Sequence, residues 1–365
     1  MKKVPFNDLS RIHEPIHKKV FAQFSKVVQE NRFVLNKEIG EFECLFSEFT
    51  KSKYTVSCAS GTDALELILR ALEIGKNDEV ILPTNTFIAT ALAVTRCGAT
   101  PVFVDNDEFY LIDRKEVEKK ITRKTKAIIA VNLYGQLANL KELNKIAKAN
   151  SLKLIEDSAQ SHGASNVSFS NNYSVAAAYS FYPGKNLGAW GDGGAVTTNN
   201  KKLYEKIVLL RNWGSVKKYY HLEKGFNSRL QPLQGVVLSE KIKKLDFWNK
   251  QRNIIAHKYL ESLTEIDSIV LPKVMNENYH VWHLFVIRTK KRNKILSEFE
   301  THKIEFGIHY PVPIHRQKAY KDHKQYGSSV SLADQYSSQL LSLPIFPKMK
   351  DKEIERVIDT VKKYV

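Results

Sequence analysis

Ala176-Ala177-Ala178-Tyr179-Ser180-Phe181-Tyr182-Pro183-Gly184-Lys185-Asn186-Leu187-Gly188 is the stretch from which the rest of the chain is read. Its small apolar residues predict the end of a buried strand. Pro183-Gly184 is a turn dipeptide. Together they predict a strand that runs into a tight turn and presents one lysine, Lys185. A lysine held between packed segments is partly desolvated. Desolvation favours the neutral amine and makes it a usable nucleophile toward an aldehyde. A solvated loop lysine is the plain alternative in a chain with 56 Lys and Arg residues, so the surroundings decide.

Outward from this turn, apolar runs alternate with helical stretches. Tyr54 to Cys58, Glu79 to Leu82, Pro101 to Val104, Ala127 to Val131 and Leu152 to Ile155 read as strands. Thr62 to Leu72, Phe87 to Arg96, Glu116 to Ile121 and Leu140 to Ala149 read as helices between them. Two further helices, Pro15 to Glu30 and Glu38 to Phe49, precede them. Apolar strands separated by helices specify an α/β protein whose mostly parallel sheet is covered on both faces. After Gln231 the pattern changes to a long helix (Val236 to Leu263), an aromatic strand (Tyr279 to Ile287) and two helices (Ile295 to His302, Lys352 to Tyr364). The expected division is a large α/β domain over 1–240 and a smaller α+β domain over 241–365.

A length of 365 residues suits such a division. The net charge of +17 suggests anionic partners. The basic residues are scattered, with acids between them and no basic arm, so nucleic acid is not an expected partner. Cys44, Cys58 and Cys97 show no CxxC spacing, a reduced pattern without a disulfide frame or zinc cluster. No apolar run follows Lys2-Lys3, and none approaches the roughly 20 residues that cross a bilayer. A cytoplasmic protein with no membrane partner is expected.

Candidate site residues gather where strands end. Ser60-Gly61-Thr62-Asp63 lies between a strand and a helix, where free N–H groups and the helix dipole favour an anion. Gly61 lets the backbone come close, and Ser60 or Thr62 can add a hydroxyl; a simple N-cap is the competing reading. Glu156-Asp157-Ser158-Ala159-Gln160 follows an apolar strand, at the end where α/β sheets bind ligands. A partly buried acid there needs a cationic or hydrogen-bonding partner, unless it caps a helix or pairs with a local lysine. Phe87 opens a helix after a strand, as a platform for an aromatic ligand or as core. In His309-Tyr310-Pro311-Val312-Pro313-Ile314-His315 two prolines fix an extended path, which suits a binding loop or a structural turn. Gly191-Asp192-Gly193-Gly194 lacks the GxGxxG spacing of a dinucleotide site. His13-Glu14-Pro15-Ile16-His17 matches HExxH in letters. Pro15 belongs in a first helical turn, which leaves His13 outside the helix, so a surface segment is expected rather than a zinc site.

Four blocks in this order, Ser60 to Leu65, Glu156 to Ala164, Ser180 to Gly194 and Gly225-Phe226-Asn227-Ser228-Arg229, resemble the DegT family of nucleotide-sugar aminotransferases. These are pyridoxal-phosphate (PLP) enzymes of the aspartate-aminotransferase fold, PLP-dependent fold type I. The resemblance runs from Phe6-Asn7-Asp8-Leu9 to the last helix. It implies that Lys185 forms the Schiff base with the cofactor and that Asp157 pairs with the protonated ring nitrogen. It further implies that Gln160 lies by the phenolic oxygen, that Phe87 stacks on the ring, and that Gly61, Thr62 and Ser180 hold the phosphate. Asn227 matches a residue that reaches in from the neighbouring subunit, which implies a homodimer with shared sites. His309, Tyr310 and His315 fall in the family's substrate loop. The implied reaction moves an amino group from L-glutamate, through PLP, to a keto group of a nucleotide-linked sugar. Gly307 to His315 and Gln317 to Tyr320 look most like members acting on dTDP-linked 3-keto-6-deoxyhexoses, with a 4-keto sugar as runner-up. Sugar dehydratases of the same scaffold carry histidine in place of the lysine, and Lys185 is present here. A nucleic-acid-binding regulator would need a basic face. No metal is expected.

Overall fold

A computed structural model describes residues 2–166, 173–325, 327–328 and 330–365. Its centre is a seven-stranded sheet: β1 Tyr54–Cys58, β2 Glu79–Pro83, β3 Thr100–Val104, β4 Thr125–Val131, β5 Lys153–Asp157, β6 Ala176–Ser180 and β7 Gly194–Thr198, in the order β1-β7-β6-β5-β4-β2-β3. Strand β7 runs antiparallel to both its neighbours, and the other pairs are parallel. The strands are buried almost throughout because helices cover both faces, which explains their unbroken apolar runs. Register places Val131, Asp157 and Ala178 side by side, and sets Ser180 and Cys58 both opposite Gly194. The polar ends of β5 and β6 therefore emerge at one edge of the sheet.

Helix Gly61–Ala71 starts at that edge. Ser60 caps it, its Oγ accepting from the Asp63 N–H at 3.1 Å. A side chain at position 61 would put its Cβ 2.6 Å from Ser180 Cβ, and one at 194 would meet the Ser60 carbonyl carbon at 2.3 Å. Glycine at these two places is what lets the helix start sit directly against the sheet edge.

Helix Pro232–Leu263 begins with proline in its first turn and runs for 32 residues. Its first half packs Leu238, Ile242 and Leu245 with Phe42, Phe46 and Phe181. Its second half gives Ile255, Tyr259 and Leu263 to a separate core with Val4, Phe285, Phe299, Phe346 and Val357. Residue 240 thus lies inside one continuous helix. Around the second core stand helices Arg292–Thr301 and Asp351–Tyr364 and an antiparallel pair, β8 Phe285–Arg288 with β9 Leu340–Leu343.

Two expectations are corrected here. The aromatic run from Tyr279 to Ile287 is not one strand. Asn278–Tyr279 forms a short pairing, and the chain then leaves extended geometry so that the Val281 N–H reaches the Gly135 carbonyl and the Leu284 N–H the Tyr134 carbonyl. The HExxH letters lie across a break: His13 ends helix Ser10–His13, Glu14–Ile16 is a 3-10 turn, and His17 opens helix His17–Gln29. The segment is not simply surface, because the rings of His13 and His17 lie 5.3 and 5.5 Å from that of Trp190. Among the described residues no His, Cys, Asp or Glu cluster could hold a metal, and no helix is long and apolar enough to cross a membrane.

Candidate active site

Phe181 sets the lysine turn. It is fully buried between the rings of Phe42 and Phe46, each 5.3 Å away, so the chain leaving β6 has a fixed point of departure. The turn closes through the Lys185 N–H to the Tyr182 carbonyl at 2.9 Å, and the Ala189 N–H returns to the Phe181 carbonyl at 2.8 Å. Behind it, buried Lys241 of the long helix donates to the Gly188 carbonyl.

Lys185 opens into a cavity of about 660 Å³ between the sheet edge, the helix start and the second core. Gly61, Thr62, Phe87, Asp157, Gln160, Ser180, His309 and Tyr310 line the same cavity. Burial lowers the Lys185 amine to about 8, and the negative charge of Asp157 opposes that fall. Burial raises Asp157 above the usual carboxylate range. The Thr90 hydroxyl at 2.8 Å, the Ala159 N–H at 3.2 Å and Lys185 counter it without cancelling it. An amine partly unprotonated near neutrality and a hydrogen-bonded acid thus share one enclosure, the arrangement that proton-transfer and carbonyl chemistry need.

The rest of the lining is pinned. Gln160 Oε1 accepts from the Tyr134 N–H at 2.7 Å, and its Nε2 donates to the Tyr310 hydroxyl at 3.1 Å. The Tyr310 ring sits 5.9 Å from that of Phe87, which is 55% exposed and so is not core. His309 Nδ1 lies 2.8 Å from Ser342 Oγ, and its ring stacks on Phe6 at 5.8 Å. Burial, then the Lys185 charge, lowers His309 to about 4. At the helix start, Ser60 satisfies the Asp63 and Ala64 N–H groups, which leaves those of Gly61 and Thr62 unclaimed by the cap.

Two expected residues lie elsewhere. His315 is completely buried, with Nδ1 2.7 Å from Thr84 Oγ1 and Nε2 3.2 Å from Asp334, and it does not line the cavity. It fastens the loop rather than facing a ligand. Asn227 is exposed and outside its own chain's cavity, where its backbone bridges to Asn212. Sequence reasoning gave no role to Phe6, Asn7, Asp192 or His283, which all line the cavity. Phe6 and Asn7 arrive because residues 3–6 are tied to the second core: Val4 pairs with Ile304 and the Phe6 N–H donates to Glu305 at 2.7 Å. Asn7 Nδ2 then reaches the Gly184 carbonyl at 3.3 Å.

A mostly parallel sheet with one reversed strand, a lysine on the turn after β6 and an acid ending β5 define the aspartate-aminotransferase class of fold and site. Residues 14–362 match the DegT/DnrJ/EryC1/StrS aminotransferase family, and the chain belongs to it. It is 46% identical over 363 residues to the dTDP-3-amino-3,6-dideoxy-alpha-D-galactopyranose transaminase of Aneurinibacillus thermoaerophilus, with 99% of each chain covered. It is 41% identical to the dTDP-3-amino-3,4,6-trideoxy-alpha-D-glucose transaminase of Streptomyces venezuelae, with 99% of this chain and 96% of the other covered. The crystal structure of S. venezuelae DesV in complex with a ketimine intermediate superposes with a TM-score of 0.96 at 40% identity, over 100% of this chain and 99% of the other.

Proposed function

We propose that this chain is a PLP-dependent transaminase that moves the amino group of L-glutamate to the 3-keto group of a dTDP-linked 6-deoxyhexose. One observation carries the reading: the Lys185 amine, lowered to about 8, shares one cavity with Asp157. The two relatives named for 3-amino sugars on dTDP support the substrate.

The residues present fit the cofactor. The Gly61 and Thr62 N–H groups and the Ser180 hydroxyl offer donors for its phosphate at a helix start. Asp157 would hold the proton on the ring nitrogen, and Phe87 would cover one ring face. Gln160 keeps one amide N–H free for the phenolic oxygen. Lys185 Nζ would bind the aldehyde. Bound there, PLP supplies the electron sink that lets an amino group leave one carbon and arrive at another. Lys185 Nζ takes up and returns the proton in each direction, a task suited to an amine that titrates close to neutrality. Phe6, His309 and Tyr310 line the cavity and would face the sugar. The chain's +17 charge favours the pyrophosphate of the substrate.

The test is to incubate the protein with glutamate and, separately, 3-keto and 4-keto dTDP-6-deoxyhexoses, and to locate the new amine by NMR. Amination at C3 is expected. Amination only at C4, or none with either sugar, would overturn the assignment.

A further inference from the structure

Helix Pro232–Leu263 carries polar side chains that hold the chain just after Lys185. Gln234, Lys241, Leu245 and Asn249 are spaced by seven, four and four residues, so they share one face of the helix. Gln234 Oε1 accepts from the Trp190 N–H at 2.8 Å. Lys241 Nζ donates to the Gly188 carbonyl. Asn249 Oδ1 accepts from Asn186 Nδ2 at 2.9 Å. Leu245 joins Phe181, Leu187 and Ala189 in one apolar cluster. Residues 186, 188 and 190 are thus each held from the same helix face.

The middle contact comes from a group that carries charge. Lys241 is completely buried, and among the described residues no carboxylate pairs with it. Its neighbours are neutral: the Gly188 carbonyl, His13 Nε2 at 3.4 Å and the Trp248 ring at 6.0 Å. An ammonium only donates, so His13 receives at Nε2 and keeps its own proton on Nδ1. Burial, then the Lys241 charge, lowers His13 to about 4, and burial lowers Lys241 itself to about 7. Burying a charge without a partner acid costs stability that an apolar side chain of similar volume would not, so stability does not explain the amine.

Gly188 is the place where one hold acts on the whole turn. A Cβ there would stand 2.2 Å from the Pro183 carbonyl oxygen and 2.8 Å from that of Tyr182. The end of the turn therefore lies against its beginning. The Lys185 N–H bonds to the same Tyr182 carbonyl at 2.9 Å, and the Ala189 N–H closes the neck on the Phe181 carbonyl at 2.8 Å.

We propose that Lys241 is a positioning residue for Lys185: through the Gly188 carbonyl its Nζ holds the turn closed and keeps the Lys185 amine inside the cavity. The inference rests on Lys185 being the reacting amine. Lys241 acts through the turn backbone and not by touching that amine. Burial is what lowers the Lys185 amine, and burial is what an opened turn gives up.

The experiment uses the cofactor-free enzyme and follows acylation by an amine reagent against pH, read peptide by peptide by mass spectrometry. Lys241→Met nearly keeps the length of the side chain and removes the donor. With the Gly188 carbonyl released, water reaches Lys185, and its midpoint should rise by about one pH unit toward the solvated value. Lys241→Gln, which keeps an N–H donor on a shorter side chain, should raise it less. In the wild-type enzyme Lys241 itself should resist acylation at pH values where Lys185 reacts, and this arm stands even if a variant does not fold. An unchanged Lys185 midpoint in folded Lys241→Met, an equal rise in both variants, or a Lys241 that reacts ahead of Lys185 overturns the proposal. Failure of Lys185 itself is seen separately: borohydride-reduced, PLP-loaded enzyme would then carry no adduct on the Lys185 peptide.

Discussion

Lys185 owes its reactivity to where the backbone leaves it, and the cost appears in stability. Its amine titrates at about 8 in the folded chain, against about 10.4 when unfolded. Between those values the unfolded chain binds more protons, so the stability of the cofactor-free protein gains from this group as pH rises, and loses it as pH falls through 8. Wild type should therefore gain on Lys185→Met between pH 8 and pH 10, by about 2 °C in melting temperature. Calorimetry of the two proteins at both pH values measures the difference. A gap that does not change with pH would mean that the amine is fully solvated. At this scale the sequence was legible where the cause is local: an apolar strand that stops at a polar residue announces Asp157, and Pro183-Gly184 announces the turn. His283 was hidden because only folding brings it to the cavity and to Asn186 of the lysine turn.

Elements were legible where one residue pattern decided them and obscure where distant backbone did. Strands β1 to β5 alternate with helices and read easily, whereas the reversed strand β7, Gly194–Thr198, was not read as a strand because it follows β6 with no helix between. The stretch from Tyr279 to Ile287 reads as a strand by its β-formers, but the backbone of Tyr134 and Gly135 claims the Val281 and Leu284 N–H groups and breaks it. The segment from His309 to His315 reads as a binding loop or a structural turn, and its two ends divide between these. His309 and Tyr310 face the cavity, whereas His315, with the Ile314 N–H bonded to the Thr84 carbonyl at 3.1 Å, nails the far end to the residue after β2. His315→Ala should leave the buried Thr84 hydroxyl short of a partner and cost about 2 kcal/mol in stability. It should also raise KM for the sugar several-fold while the cofactor's absorbance stays intact. Loss of the cofactor with an unchanged KM would show that His315 supports the lysine turn instead of the loop.

One chain by itself leaves a good deal unfinished. Val216, Tyr219, Tyr220 and Leu222 stand exposed around the hairpin of Ser215–Lys217 and Tyr220–His221, and Phe21, Phe87 and Tyr182 are exposed elsewhere. Apolar side chains grouped in this way mark contact surfaces. Asn227, near the base of that hairpin, points to the same conclusion, since it resembles a cofactor-binding residue yet lies outside its own cavity. We propose a homodimer in which each site takes Lys185 from one chain and Asn227 from the other, which would account for both. In that assembly a chain carrying Lys185→Ala and a chain carrying Asn227→Ala complement each other. The mixed dimer has one site with both substitutions and one with neither. After unfolding and joint refolding of equal amounts, half the dimers are mixed, so activity should return to about a quarter of wild type. Each variant refolded alone should stay near its own low level. Mixed dimers verified by mass that show no gain would place Asn227 in its own chain's site, and the exposed hairpin would then need another explanation.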